Sequence, residues 1–167
     1  MYNLDVTAAV LTETNAKRGS VALDDNGIGP MGVVGGGVPV NFNSIWSFCQ
    51  NQASGEGVTI IWDGRIPHRD AWASETGRLA AVTLCGPTGR NIRLIGVYAQ
   101  ANPSTNVDMV ARVHAELTSL LDAAKQARLT PVVLGDFNDV PEGDLKFALH
   151  ARTCSTASLT FSPTSIT

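Results

Sequence analysis

Cysteine is scarce in this chain, and its placement excludes two kinds of protein. Cys49, Cys85 and Cys154 stand alone and far apart, so none forms the short-spaced pair of a zinc knuckle or a redox motif. An odd count also argues against a disulfide framework and fits a reducing, intracellular setting; the three read as small buried thiols or chance surface ones. Long hydrophobic runs are missing as well. No stretch approaches the ~20 apolar residues that span a bilayer, and the N-terminal residues lack the basic flank and apolar core of a signal peptide. A soluble protein is expected, with no membrane partner. Positive charge is in short supply: 12 Lys and Arg against 15 Asp and Glu give a net charge of -3. A protein that grips nucleic acid mainly by charge is usually more basic, which counts against a simple DNA-coating role but leaves room for an enzyme with a local basic rim.

What is present is enough for a folded domain. Hydrophobic residues make up 44% of the 167 and charged residues 16%, a balance that buries a core and disfavours general disorder. Residues 5–11 (DVTAAVL) form a short apolar run suited to a buried strand, ending in the polar cluster Thr12-Glu13-Thr14-Asn15. From 16 to 37 no periodicity holds and six glycines fall between Gly27 and Gly37, which reads as a loop. Strands are expected at 58–62 (VTIIW), 79–84 (LAAVTL) and 92–98 (IRLIGVY), the last two joined by a hairpin turn over 85–91. Arg93 interrupts the last of these and suggests a partly exposed face.

The strongest helix expectation covers 106–128, where Val110, Val113, Leu117, Leu120, Leu121 and Ala124 make one apolar stripe. Asn106 suits the N-cap, Asp108 the first turn, and Lys125 and Arg128 the last. A buried strand follows Pro131, a weaker helix is expected over 143–151, and 153–167 reads as a late edge strand. Alternation of strands and helix, with one hairpin, predicts an α/β domain: a mixed sheet with helices packed outside.

The sharpest chemical signal is Gly135-Asp136-Phe137-Asn138 after Val132-Val133-Leu134. If the strand runs through it, Asp136 and Asn138 point one way and Phe137 anchors in the core. That would present a carboxylate and a carboxamide at the C-terminal end of a strand, where ligands bind in α/β sheets. Gly135 would let the backbone bend or approach something closely. An Asx turn at a strand end explains the same residues equally well. Glu13 leaves another buried strand, and two such carboxylates suit Mg2+, which takes few protein ligands; a solvated loop glutamate is the plainer explanation. Tyr98 ends a third strand, and its phenol and Asn102 are candidate donors to a phosphate oxygen, although packing with a wet hydroxyl is commoner for such a tyrosine.

Taken in order, these segments resemble one family. Glu13 in LTET, Gly55-Glu56-Gly57-Val58, Tyr98 in GVYAQANP, LGDFN at 134–138 and LTFSPTS at 159–165 are similar to the endonuclease/exonuclease/phosphatase superfamily, nearest to the endonuclease domain of non-LTR retrotransposons. The resemblance implies mixed β-sheets sandwiched between helices, a four-layer α-β-β-α sandwich, with residues 1–167 as one such domain. It implies Mg2+, with Mn2+ as a substitute, held by Glu13. It gives Asp136 the attacking water, Asn138 a phosphate oxygen or its neighbouring groups, and Tyr98 the phosphoryl group. DNA is the implied substrate, with no obligate protein partner, in the nucleus if the source is a eukaryotic retroelement.

Family members also carry an earlier strand with a metal-site asparagine, and later an aspartate strand and a Ser-Asp-His segment. Neither is found in the 167 residues, so an incomplete domain is expected. His68, in an expected loop beside Arg65 and Arg69, His114 on the long helix and His150 on the weaker one read as ordinary histidines. Phosphatase action on a small phosphoester and a non-catalytic remnant of the fold are the alternatives. Two further patterns carry less. The string at 27–32 satisfies G-x-G-x-x-G but follows Asp24-Asp25-Asn26 rather than a strand and contains Pro30, so it fails as a dinucleotide fingerprint. Arg65, Arg69, Arg78, Arg90 and Arg93 fit either a phosphate-binding rim or scattered solvated charges.

Overall fold

The computed structural model describes residues 7–16, 23–24, 28–35, 38–48, 57–87, 89–99 and 105–138. They form eight strands and one helix: β1 (Ala8–Thr12), β2 (Ile28–Gly35), β3 (Val38–Ser47), β4 (Val58–Asp63), β5 (His68–Ala73), β6 (Leu79–Cys85), β7 (Asn91–Tyr98), α1 (Val107–Gln126) and β8 (Thr130–Asp136). One sheet has the order β1-β4-β3-β2 and is antiparallel throughout. The other has the order β5-β6-β7-β8; its first two pairings are antiparallel, and β8 joins β7 in parallel after the α1 crossover. This is an α/β fold of two sheets and one helix.

Alternation along the strands sets the layers. Ala80, Val82 and Leu84 of β6, with Leu94 and Tyr98 of β7, face Ala8, Ile45, Val58, Ile60 and Trp62 of the first sheet. The opposite face of β6 and β7, carrying Leu79, Ala81, Ile95 and Val97, packs on Val113, Met109, Leu117, Leu120 and Leu121 of α1. Among the described residues the layers are therefore sheet, sheet, helix. Each fully buried Ile, Leu or Val contributes about 1.5–3 kcal/mol, so the inter-sheet core is the main source of cohesion. Gly96 lies in this core on the face of β7 turned to the first sheet. A Cβ there would stand 2.8 Å from Val58 Cγ1 and 2.9 Å from Val10 Cγ1.

Several expectations need correction. Three strands, β2, β3 and β5, lie where the sequence reads as a loop or gives no signal. β2 pairs with β3 from Ile28↔Ile45 to Gly35↔Val38, and β3 pairs in turn with β4. His68 is not in a loop: it opens β5 and meets the Trp62 ring edge-on, with centroids 4.9 Å apart. Arg93 is buried rather than partly exposed, donating to Asp70 O and Thr83 Oγ1. Burial pushes its pKa down, opposed by the charge of Asp70.

The helix lies where its stripe predicts. Asn106 occupies the N-cap position, but its side chain makes no capping bond; its C=O accepts the Val110 N–H at 3.0 Å. Helix α1 ends at Gln126, so Arg128 falls beyond the last turn, in the left-handed region at φ 53°. None of the described helices is long and apolar enough to cross a membrane. The expected helix over 143–151, the late strand over 153–167, His150, Cys49 and Cys154 lie outside the described residues.

Candidate functional site

Three strands bring the site residues to one end of the sandwich. β1 ends at Thr12 opposite the start of β4, and Glu13 follows it directly. β7 ends at Tyr98, which stands in register with Asp136, the last residue of β8. Tyr98 belongs to the inter-sheet cluster, as do Val132 and Leu134, so alternation turns Asp136 to the same side as Tyr98. Phe137 packs on the helix side, as its position in the motif predicts.

The phenol of Tyr98 donates to Glu13 Oε1 at 2.8 Å. Glu13 itself is exposed, with a left-handed backbone at φ 54° steadied by Asn15 Nδ2 donating to its C=O at 3.2 Å. The following turn is fastened to the sheets: Thr14 N–H donates to Gly57 O, and Gly57 N–H donates to Gly77 O. Burial of Tyr98 raises its pKa above the ordinary tyrosine value, and the bond to Glu13, the charge of Glu13 and that of Asp136 raise it further; only Arg78 acts the other way. The phenol is held as a proton donor, a state useful for contacting an anionic oxygen.

The strand does not continue through the motif. β8 stops at Asp136, and Asn138 lies past its end with φ 36°. Asp136 Oδ1 accepts the Asn138 N–H at 2.8 Å, which is an Asx turn. The alternating-strand picture is thus corrected, but the turn still delivers Asn138 to the site, where its Nδ2 donates to Ala99 O at 2.8 Å. Gly135 is required here. At φ 145° its ideal Cβ would lie 1.8 Å from Val97 O, so the β8 backbone passes β7 where no side chain fits.

Structure therefore brings Glu13, Tyr98, Asp136 and Asn138 together; Asn102 lies outside the described residues. Arg65, Arg69 and Arg90 do not join them, since strand directions place all three at the opposite end: Arg90 precedes β7, Arg69 pairs with Thr83 near the far end of β6, and Arg65 follows β4. Arg65 there grips Asp63 at 2.5 Å, and that bond holds the Asp63 carboxyl below its usual range.

Of the five arginines that fit either a phosphate-binding rim or scattered solvated charges, Arg78 reaches the site, and from a buried position. It is 4% exposed, with its guanidinium 4.7 Å from the centroid of the Tyr98 ring. The available signal was its position directly before the wholly apolar start of β6, where an ordinary solvated arginine would be out of place.

Among the described residues no three His, Cys, Asp or Glu side chains converge. Glu13, with its exposed carboxylate, is the residue here that could hold a divalent ion, beside Asp136 at the same end of the sandwich. No family model and no curated protein matches the chain.

Proposed function

We propose that the chain is a Mg2+-dependent phosphodiesterase of the nuclease type, hydrolysing a DNA phosphodiester bond, and a relative of the retrotransposon endonucleases in the endonuclease/exonuclease/phosphatase superfamily. On this reading the two sheets and α1 are three layers of a four-layer α-β-β-α sandwich, and the protein works inside the cell. The observation that carries it is the bond from Tyr98 to Glu13 beside Asp136. With it, residues at the ends of three strands, β1, β7 and β8, stand together, and each has the chemistry a phosphoester site needs.

Glu13, with accessible oxygen donors, would hold Mg2+ or Mn2+. When bound, the ion neutralises charge on the non-bridging phosphate oxygens as a Lewis acid. Asp136, exposed at the strand end, orients or deprotonates the attacking water. Tyr98, whose single phenolic proton lies on Glu13 Oε1 in the free chain, would turn it to the phosphoryl group once Glu13 engages the ion. Asn138 has one amide proton on Ala99 O and a second left to offer a phosphate oxygen.

Nicking of supercoiled plasmid in Mg2+ tests this, using both the 167-residue chain and a longer reading frame that includes a Ser-Asp-His segment. Relaxation that disappears in Asp136→Ala supports the reading. If neither protein cuts, the nuclease assignment is wrong; if Asp136→Ala cuts as well as the parent, the role of Asp136 is wrong.

One observation favours a second reading, a phosphatase for a small phosphoester. Arg65, Arg69 and Arg90 lie far from the site, so among the described residues no arginine rim surrounds it for a long polyanion to lie along. Release of inorganic phosphate from a small phosphomonoester, without plasmid nicking, would select that alternative.

A further inference from the structure

Arg78 sits immediately before β6 and touches the candidate site from beneath. Its C=O accepts the Tyr98 N–H at 2.9 Å, its guanidinium lies against the Tyr98 ring, and its Nη1 donates to Ala99 O at 3.4 Å. That carbonyl is the one that accepts Asn138 Nδ2. Ala99 N–H in turn donates to Asp136 O at 2.8 Å. One buried side chain thus meets a candidate residue's ring and the carbonyl that seats another's amide.

The arginine is itself braced. Thr76 Oγ1 accepts the Arg78 N–H, and Ser74 Oγ accepts the Thr76 N–H. Ser74 Oγ donates to Glu116 Oε2 of α1 at 2.5 Å, so its single proton is used and the Thr76 hydroxyl donates to it at 2.7 Å. A continuous set of hydrogen bonds therefore runs from α1 through the β5–β6 turn to Arg78. Burying a guanidinium is costly, and a well-packed apolar side chain of similar volume often stabilises a fold as well or better. Cohesion alone is a poor reason for a charge here. Contact with an aromatic face together with a carbonyl at the site is a better one.

We propose that Arg78 is a positioning residue, fixing the Tyr98 ring and, through the Ala99 carbonyl, the Asn138 amide. Its effect on rate rests on the phosphoester chemistry proposed above, whereas the positioning is a property of the folded chain and is measurable without turnover.

NMR of the full chain, of Arg78→Met, of Arg78→Lys and of Tyr98→Leu provides the test. Arg78 methylene protons should be displaced upfield by the Tyr98 ring, and the displacement should vanish in Tyr98→Leu; its absence from the parent chain overturns the proposal even if Arg78→Met fails to fold. In folded Arg78→Met, protection of the Asn138 side-chain amide should fall about tenfold, while backbone exchange in β6 and β7 is unchanged. Arg78→Lys should restore part of it. Unchanged Asn138 protection in Arg78→Met, or a lysine variant no better than methionine, overturns the proposal.

Where the parent cuts plasmid, Arg78→Met should lower kcat roughly ten- to a hundredfold, with KM changed less than about twofold and partial rescue by lysine. A full kcat in Arg78→Met counts against positioning. If neither the parent nor the longer reading frame cuts, the nuclease reading fails and the exchange measurements still decide for or against Arg78.

Discussion

Tyr98 donates its phenolic proton to Glu13 Oε1 at 2.8 Å, connecting the last residue of β7 to one 85 positions earlier that directly follows β1 of the other sheet. A hydrogen bond to a charged group contributes about 1.5–3 kcal/mol, less where one partner is exposed, as Glu13 is. Tyr98→Phe keeps the buried ring and removes only this bond. Urea denaturation should show a loss of about 1 kcal/mol, and Glu13→Gln in the same background should add little more. Fully additive losses would mean that the bond is not made in solution.

The titration of Tyr98 follows from its surroundings. Burial, then Glu13, then Asp136 raise its folded pKa, against the charge of Arg78. A raised folded value means the phenol's stabilising contribution is complete below the ordinary tyrosine pKa of about 10. It is lost as pH climbs through the higher folded value. In a Tyr2→Phe background, phenolate absorbance reports Tyr98 alone. Ionisation at or below the ordinary value would contradict its burial against Glu13.

Gly135→Ala should be among the most damaging small substitutions. The new methyl group would collide with Val97 O in a backbone conformation that L residues rarely adopt. A loss of roughly 2–4 kcal/mol is expected from strain and displacement of β8, read as a lower urea midpoint. A variant as stable as the parent would show that β8 does not pass β7 this closely.

Arg93→Met tests a different buried cation. Removing the guanidinium takes the donor from Thr83 Oγ1, which is fully buried, and from Asp70 O. Each buried group left without a partner costs about 1–3 kcal/mol, and the relief of burying a charge offsets part of it. A net loss of about 1–2 kcal/mol in thermal or urea unfolding is the expected result; a gain in stability would mean those acceptors find other donors.

Metal binding gives a fifth prediction. Mg2+ at a hundred times its dissociation constant should stabilise the chain by about 2.7 kcal/mol, reversibly with EDTA. Glu13→Gln should abolish the shift. An equal shift in that variant would place the ion elsewhere.

Much of this architecture was legible because the relevant residues obey simple periodicities. The stripe from Val110 to Ala124 indicates α1, and the apolar runs at 58–62, 79–84 and 92–98 indicate β4, β6 and β7. β3 escaped notice because its buried serines resemble loop residues. Ser44 donates to Gly29 O and Ser47 to Ser74 O, so both are buried without an unmet bond. β2 was hidden by Pro30 and its glycines, which carry no alternation, and is identified only by its register with β3. β5 opens with His68-Arg69-Asp70 and shifts register between Arg69 and Trp72, so its pattern is broken where it begins. At the site, Glu13, Tyr98 and Asp136 were each legible as strand-end residues. Their meeting depends on two sheets stacking, which no local pattern records, and Arg78 was read as one charge among several.

Gly96 bears on the site without belonging to it. It lies two residues before Tyr98 on the same face, opposite Val10 and Val58, where even a methyl group would not fit. It therefore acts as a spacer gauge for the interior, holding the two sheets near enough for a phenol on one to reach a carboxylate on the other. A single added carbon there would wedge the sandwich open and detune the site from below, leaving every candidate site residue in place in the sequence.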